Sequence, residues 1–332
     1  MIITEDFRTL SLVDWLQHDL LLNLLNLAPA SSDASFRRYF RATTDQGSYI
    51  VMDAPPDKEN LTAFIHIAEM LRSAGINTPQ IYSQNLDDGF LLLQDFGDTN
   101  YLAHLTETNA DALYNQAFDT LFKLHSDPRL ANAPLPTYDQ ALLTRELNLF
   151  DEWFLQQKLG LTIPDALWQA TKSLLIDSAL AQPQVLVHRD YHSRNLMVVA
   201  EQTPGVLDFQ DAVIGPITYD LVSLLKDCYI AWPVPRIHAW IQQYHQRLLH
   251  AGLIDCSAQQ FQRWFDFMGL QRHLKVLGIF SRLDIRDSKP GYLKDIPLTF
   301  SYTLNTCSVY EELTDFHLFL NTQIKPVLAE SL

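Results

Sequence analysis

Cysteine is scarce: three residues in 332, at Cys228, Cys256 and Cys307. An odd, widely spaced set offers neither a disulfide framework nor a thiolate metal cluster, and it points to a reducing compartment. Positive charge is short as well, with 24 Lys and Arg against 39 Asp and Glu and a formal charge of -15. That balance argues against a nucleic-acid partner, since phosphate backbones are bound by clustered basic side chains. The acidic excess is read as a solubility feature rather than a substrate signal. Apolar runs long enough to span a bilayer are missing; the nearest, Leu20 to Leu27, is broken by Asn23 and Asn26. Met1 to Arg8 carries no basic segment followed by an apolar core, so no secretory signal is expected. Repeats and low-complexity tracts are absent too. The expectation is a soluble, cytoplasmic protein with no membrane or nucleic-acid partner and no protein partner implied.

What is present is an ordinary globular composition, 47% hydrophobic and 19% charged, in a chain long enough for one large domain or two modest ones. Its most informative stretch runs from 185 to 211. An apolar run at Val185 to Val187 delivers His188, Asp190 and Asn195 into a polar loop, and after the turn Thr203-Pro204-Gly205 a second apolar run delivers Asp208. The order His188-x-Asp190-x-x-x-x-Asn195, then Leu207-Asp208-Phe209, fits the kinase catalytic template position by position. In that template Asp190 is the base that accepts or orients the acceptor proton, while Asn195 and Asp208 hold magnesium against ATP. His188 reads as support for the loop. His192 is either a donor to the transferred phosphate or an exposed loop residue, and Asp211 either a further ligand or a turn residue. Asp220, opening an apolar helix, reads as a cap that also receives hydrogen bonds from the loop. A competing reading treats His188, Asp190 and His192 as alternating along an extended segment and binding a transition metal, as in a hydrolase.

Upstream, the spacing of Leu12, Trp15, Leu16, Leu20, Leu24 and Leu27 predicts a helix over 11–27 with Ser11 as N-cap. A small-residue loop containing Ser32 and Ser35 follows, then a strand to Arg41, the turn 44–47 and a second strand over 47–53. The loop, which has no glycine, and Arg37, Arg38 and Arg41 behind it are candidates to cover nucleotide phosphates. A helix over 59–74, stopped by Gly75, and strands at 79–84 and 90–95 complete a small mixed lobe. Gln94 and Asp95 then read as the connection that would hold adenine. Helices are expected at about 110–125, 138–158, 164–180, 217–230, 235–251, 258–280 and 298–322. The fold class is therefore α+β, a protein-kinase-like two-lobed fold. Residues 1–96 would form the nucleotide-binding lobe and 97–332 a larger, mainly helical lobe with the catalytic loop and substrate site.

His188 to Asn195, Val206 to Gln210 and Tyr219-Asp220-Leu221 resemble the aminoglycoside phosphotransferase superfamily of small-molecule kinases. Only a dozen residues separate Asp208 from Asp220, which leaves no room for a protein kinase's activation segment. Ser32 to Arg41, Val51 to Pro56 and Met268 to Leu283, with Arg286, Asp287 and Tyr292 beyond, are similar to the bacterial amino-sugar anomeric kinases of cell-wall recycling. That resemblance implies ATP-dependent phosphorylation of the anomeric hydroxyl of N-acetylmuramate or N-acetylglucosamine. Arg272, His273 and Lys275 are either candidates for the lactyl carboxylate or a solvated helical face. The alternative is a related kinase acting on an aminoglycoside, choline or another amino alcohol. One departure stands out: the strand Ile50 to Asp53 lacks the lysine that usually contacts ATP.

Overall fold

The computed structural model describes residues 6–31, 36–200 and 203–331. Asp6 caps helix α1, Phe7–Asp14, by accepting from the Thr9 N–H at 2.8 Å, a contact that satisfies one of the donors a helix start leaves open. The helix widens over Trp15–Asp19 and stops at Leu21, which has a positive φ of 55°. The expected helix over 11–27 is thus half correct, because Leu24–Ser31 is strand β1. Its Leu24 and Leu27 are both buried. A bulge between Leu24 and Asn26 shifts the strand by one residue, so a three-residue spacing puts both on one face and imitates a helix.

Strand β1 is the edge of a five-stranded sheet with β2 (Arg38–Thr44), β3 (Gly47–Asp53), β4 (Ile81–Asn85) and β5 (Phe90–Gln94), in the order β1-β2-β3-β5-β4. The β2–β3 hairpin closes through Asp45 and Gln46, with Thr44 opposite Gly47. Trp15, Leu16, Leu27, Phe40, Val51 and Phe90 form the apolar layer under this sheet. Helix α2, Leu61–Ser73, buries Leu61, Phe64, Ile67, Ala68 and Leu71. It ends where Gly75 takes φ 78°, a conformation that disfavours a side chain.

Contacts divide the described chain into two compact units. One holds the N-terminal segment through His104 together with Leu196–Gln210; the other holds Leu105–Asn195 with Asp211–Leu332. In the first unit the inserted hairpin pairs β7 (Leu196–Met197) with β8 (Gly205–Val206), and the Val206 N–H donates to Asn77 O at 2.8 Å. The second unit is mainly helical, with one short antiparallel pair, β6 (Gln184–Val187) against β9 (Val213–Pro216).

Four helices of this unit differ in detail from expectation. The first runs as an α-helix over Gln140–Leu149 and continues with wider turns over Phe150–Leu159. The helix beginning at Tyr219 ends at Leu225, and the predicted 298–322 helix breaks after Cys307. Helix Ala258–Ile285 is longer than expected and runs through the unit's core, burying Phe261, Phe265, Leu270, Leu274 and Leu277. At Gly278 this helix lies so close to Leu149 that a Cβ would sit 2.3 Å from its carbonyl oxygen. Alanine would gain about 1 kcal/mol of helix propensity. The obstacle is backbone, however, and forcing helices apart costs about 1–3 kcal/mol or more. Gly278→Ala should therefore lower stability by about 2 kcal/mol in denaturant titration; a stabilised variant would refute the close packing.

Candidate active site

In the larger unit, β6 ends at Val187 and the chain turns sharply at Arg189, whose φ is 77°. Such a conformation costs a non-glycine residue on the order of 1–3 kcal/mol and persists only where surroundings enforce it. The enforcement is Asp220. Its carboxylate is wholly buried and accepts from the His188 N–H at 2.6 Å and the Arg189 N–H at 3.0 Å. His188 Nδ1 accepts from the Asp190 N–H at 3.2 Å, and the Asp190 carbonyl accepts from the His192 N–H at 3.0 Å and from Asn195 Nδ2 at 3.0 Å. A second buried carboxylate, Asp227, takes the Ser193 N–H at 3.0 Å and the Ser193 hydroxyl at 2.5 Å, and also holds the Tyr229 N–H at 3.0 Å. The loop is thus gripped at both ends. Helix Tyr219–Leu225 stops short because the residues after it turn to supply that second grip.

The charges around the loop are set by burial and close partners. Glu146 accepts from Arg189 Nη2 at 2.5 Å, from Gln271 Nε2 at 3.2 Å and from the Tyr138 hydroxyl, and lies 3.0 Å from Lys275 Nζ. Burial works against the Asp190 carboxylate, but the positive charge of Lys275, with Arg272 and Arg189, outweighs it and holds the group below its ordinary value. Burial also depresses His192, so near neutral pH the ammonium and guanidinium groups rather than the imidazole carry that effect. Asp220 goes the other way: burial dominates its two backbone bonds and pushes it up to about 7. Asp190 is therefore an ionised carboxylate on a rigid loop.

The remaining sequence candidates fall as follows. Asp208 lies in the smaller unit with φ 62°, and its Oδ1 accepts from Gln210 Nε2 at 2.6 Å. Next to it, Phe209 packs on Phe64 of α2 with ring centres 4.9 Å apart. Ser32 and Ser35 lie outside the described residues. Arg37 donates to Glu59 at 2.9 Å. Arg38 is bound by Asp53, its register partner across β2 and β3, and by Asp6. Asp53 also receives Arg8 at 2.9 Å, so the strand lacking a lysine ends in a buried acid neutralised by two arginines. Gln94 pairs with Gln80 through its N–H at 2.8 Å. Asp95 accepts from Arg41 at 2.7 Å, Ser48 at 2.8 Å and the Gly97 N–H at 2.8 Å; these bonds overcome burial and keep it below the usual range. Asp211 is exposed, and its carbonyl accepts from Arg189 Nη1 at 3.4 Å.

In the long helix, His273 is fully buried, bonded to the Lys226 carbonyl at 3.0 Å and stacked on Tyr302, and burial drops it to about 3. It is a neutral packing residue. Arg272 is also buried and donates to Cys228 Sγ at 3.6 Å.

The phosphotransferase enzyme family model matches residues 26–254. The N-acetylmuramate/N-acetylglucosamine kinase of Pseudomonas putida is 51% identical over 281 residues, covering 83% of this chain and 82% of the relative. The chain belongs to the phosphotransferase enzyme family. Among solved structures, a choline kinase from Streptococcus pneumoniae superposes with a TM-score of 0.65 at 12% identity, covering 89% of this chain and 99% of that one. An ADP-bound aminoglycoside phosphotransferase gives 0.60 at 15% identity, covering 89% and 98%. These likenesses show the protein-kinase-like fold.

For a phosphotransferase of this family, two groups escaped sequence reasoning: Asp227 and Glu146. Asp227 meets Ser193 across 34 residues, which leaves no local signature. Glu146 did leave one, since it shares a helix face with the buried Leu143, Leu147 and Phe150, where an acid is out of place. The hydrolase alternative fails in the geometry. The turn at Arg189 breaks the two-residue alternation it requires, and among the described residues no cluster of three or more His, Cys, Asp or Glu side chains could hold a metal. Likewise, no described helix is long and apolar enough to cross a membrane.

Proposed function

We propose that the protein transfers the γ-phosphoryl group of ATP to the anomeric hydroxyl of N-acetylmuramate, N-acetylglucosamine or both, giving the sugar 1-phosphate. The observation that carries the chemistry is Asp190, an ionised carboxylate on a loop held by two buried acids. The amino-sugar acceptor is supported by the identity to the Pseudomonas kinase over most of both chains, and the nucleotide by the ADP bound to a structural neighbour.

Asp190 orients the hydroxyl and takes its proton at a carboxylate oxygen. Its depressed affinity for protons suits a late transfer, as expected when phosphoryl transfer passes through a loose transition state. Asp220 and Asp227 keep that oxygen in place, and Glu146 fixes the Arg189 side chain next to it. Asn195 and Asp208 offer amide and carboxylate oxygens, hard donors of the kind magnesium takes alongside substrate phosphates and water. Magnesium held by either group would neutralise phosphate charge.

One experiment separates acceptors. Purified protein with ATP and magnesium is offered N-acetylmuramate, N-acetylglucosamine, choline and kanamycin, and phosphorus NMR follows the product. A phosphorus signal coupled to an anomeric proton is expected; transfer confined to choline or kanamycin refutes the amino-sugar reading.

A further inference from the structure

Arg194 immediately precedes Asn195, and the bonds at Ser193 and Asn195 fix the backbone on both sides of it. Its guanidinium carbon stands over Tyr229, 3.6 Å from the ring centre, with Tyr292 flanking at 5.9 Å. Both rings are held: Tyr229 by Asp227 through its N–H, Tyr292 by stacking on Phe280 with centres 5.3 Å apart. Stacking uses the face of a guanidinium and leaves its N–H groups pointing outward in the plane.

What those N–H groups meet is unusual for this chain. Arg189 and Arg41 reach carboxylates at 2.5 and 2.7 Å, whereas Arg194 Nη2 stands 3.9 Å from Asp295 Oδ2, beyond hydrogen-bond length. Asp295 Oδ2 is buried and has no hydrogen-bond partner. Burial pushes the Asp295 carboxyl up despite Arg194, whereas a tight ion pair would pull it down. Asp295 Oδ2 therefore faces Arg194 with its hydrogen bonding unmet. The side chain of Arg194 keeps 32% of its surface open.

We propose that Arg194 binds the carboxylate of an acidic acceptor sugar through its in-plane N–H groups, and that Asp295 is the internal counter-charge which that carboxylate must outcompete. The inference rests on the amino-sugar reading and extends it to a specificity determinant. N-acetylmuramate carries such a carboxylate and N-acetylglucosamine does not, so Arg194 would set the preference between them. Planar guanidinium recognition of a carboxylate is two-pronged and charge-assisted, which an amide cannot reproduce.

The test is the ratio of kcat/KM for N-acetylmuramate to that for N-acetylglucosamine. In Arg194→Gln the ratio should fall by about tenfold or more, the loss expected for one charge-assisted contact. In Asp295→Asn it should rise by about threefold or more, because a repelling charge next to the carboxylate is gone. Opposite signs cannot arise from misfolding, which scales both substrates equally. A wild type active on both sugars, with the ratio unmoved in the two variants, overturns this inference alone. A wild type that phosphorylates neither sugar overturns the amino-sugar reading and this inference with it.

Discussion

Asp190→Asn should lower kcat by about 10²–10⁴-fold, the usual contribution of a positioned general base, while the protein stays folded. Asparagine keeps the size and one oxygen but loses the charge that accepts the proton. Stability should fall as well, and the sign follows from the environment. The Asp190 carboxyl is held below its ordinary value, so it contributes stability above the normal carboxylate range and loses it as pH drops through its depressed value. Removing one such charge costs about 1–3 kcal/mol, against a total stability of about 5–15 kcal/mol. Single-turnover kinetics and a denaturant titration on the same preparation separate the two losses. Near-normal turnover in Asp190→Asn would eliminate the mechanism.

The second large effect is expected at Asp220, which never touches the acceptor hydroxyl in this mechanism. Asp220→Ala leaves the His188 and Arg189 N–H groups buried without their acceptor, at about 1–3 kcal/mol each. It also frees the turn at Arg189, and a displacement of the Asp190 oxygen by about 1 Å is enough for a hundredfold loss of rate. The pH dependence is opposite to that of Asp190. With its carboxyl pushed up to about 7, Asp220 contributes stability that is complete below the ordinary carboxylate range and is lost as pH rises through the raised value. The stability gap between wild type and Asp220→Ala should therefore be wider at pH 5 than at pH 8. A gap that widens with pH would mean that the two N–H bonds, not burial, govern this group.

Much of this was legible in local patterns. Turn residues at 44–47 marked the first hairpin, and the helical period with Gly75 marked α2. The spacing from His188 through Asp208 supplied the order of catalytic residue types because that order is local. Three kinds of information were not local. The bulge in β1 gave a strand the spacing of a helix. Carboxylate grips such as Asp227 on Ser193 depend on which distant residue the fold brings back. The arginines at 37, 38 and 41 looked like phosphate ligands, yet each found an acid in its own unit: Glu59, Asp53 and Asp95. Among them, only the cross-strand placement of Arg38 and Asp53 follows from the hairpin register.

The hairpin of 196–210 belongs to the N-terminal unit, although the chain on either side of it belongs to the other. Phe209 against Phe64, the Val206 N–H on Asn77, and Gly205 against the Phe96 ring are contacts the first 104 residues cannot make by themselves. During synthesis the N-terminal lobe must therefore wait, with Phe64 uncovered, until residue 210 has left the ribosome. A fragment ending at His104 should keep all five strands of its sheet but leave Phe64 and Phe96 without the hairpin that packs on them, and a separately supplied 105–332 chain would have to bring that hairpin to it.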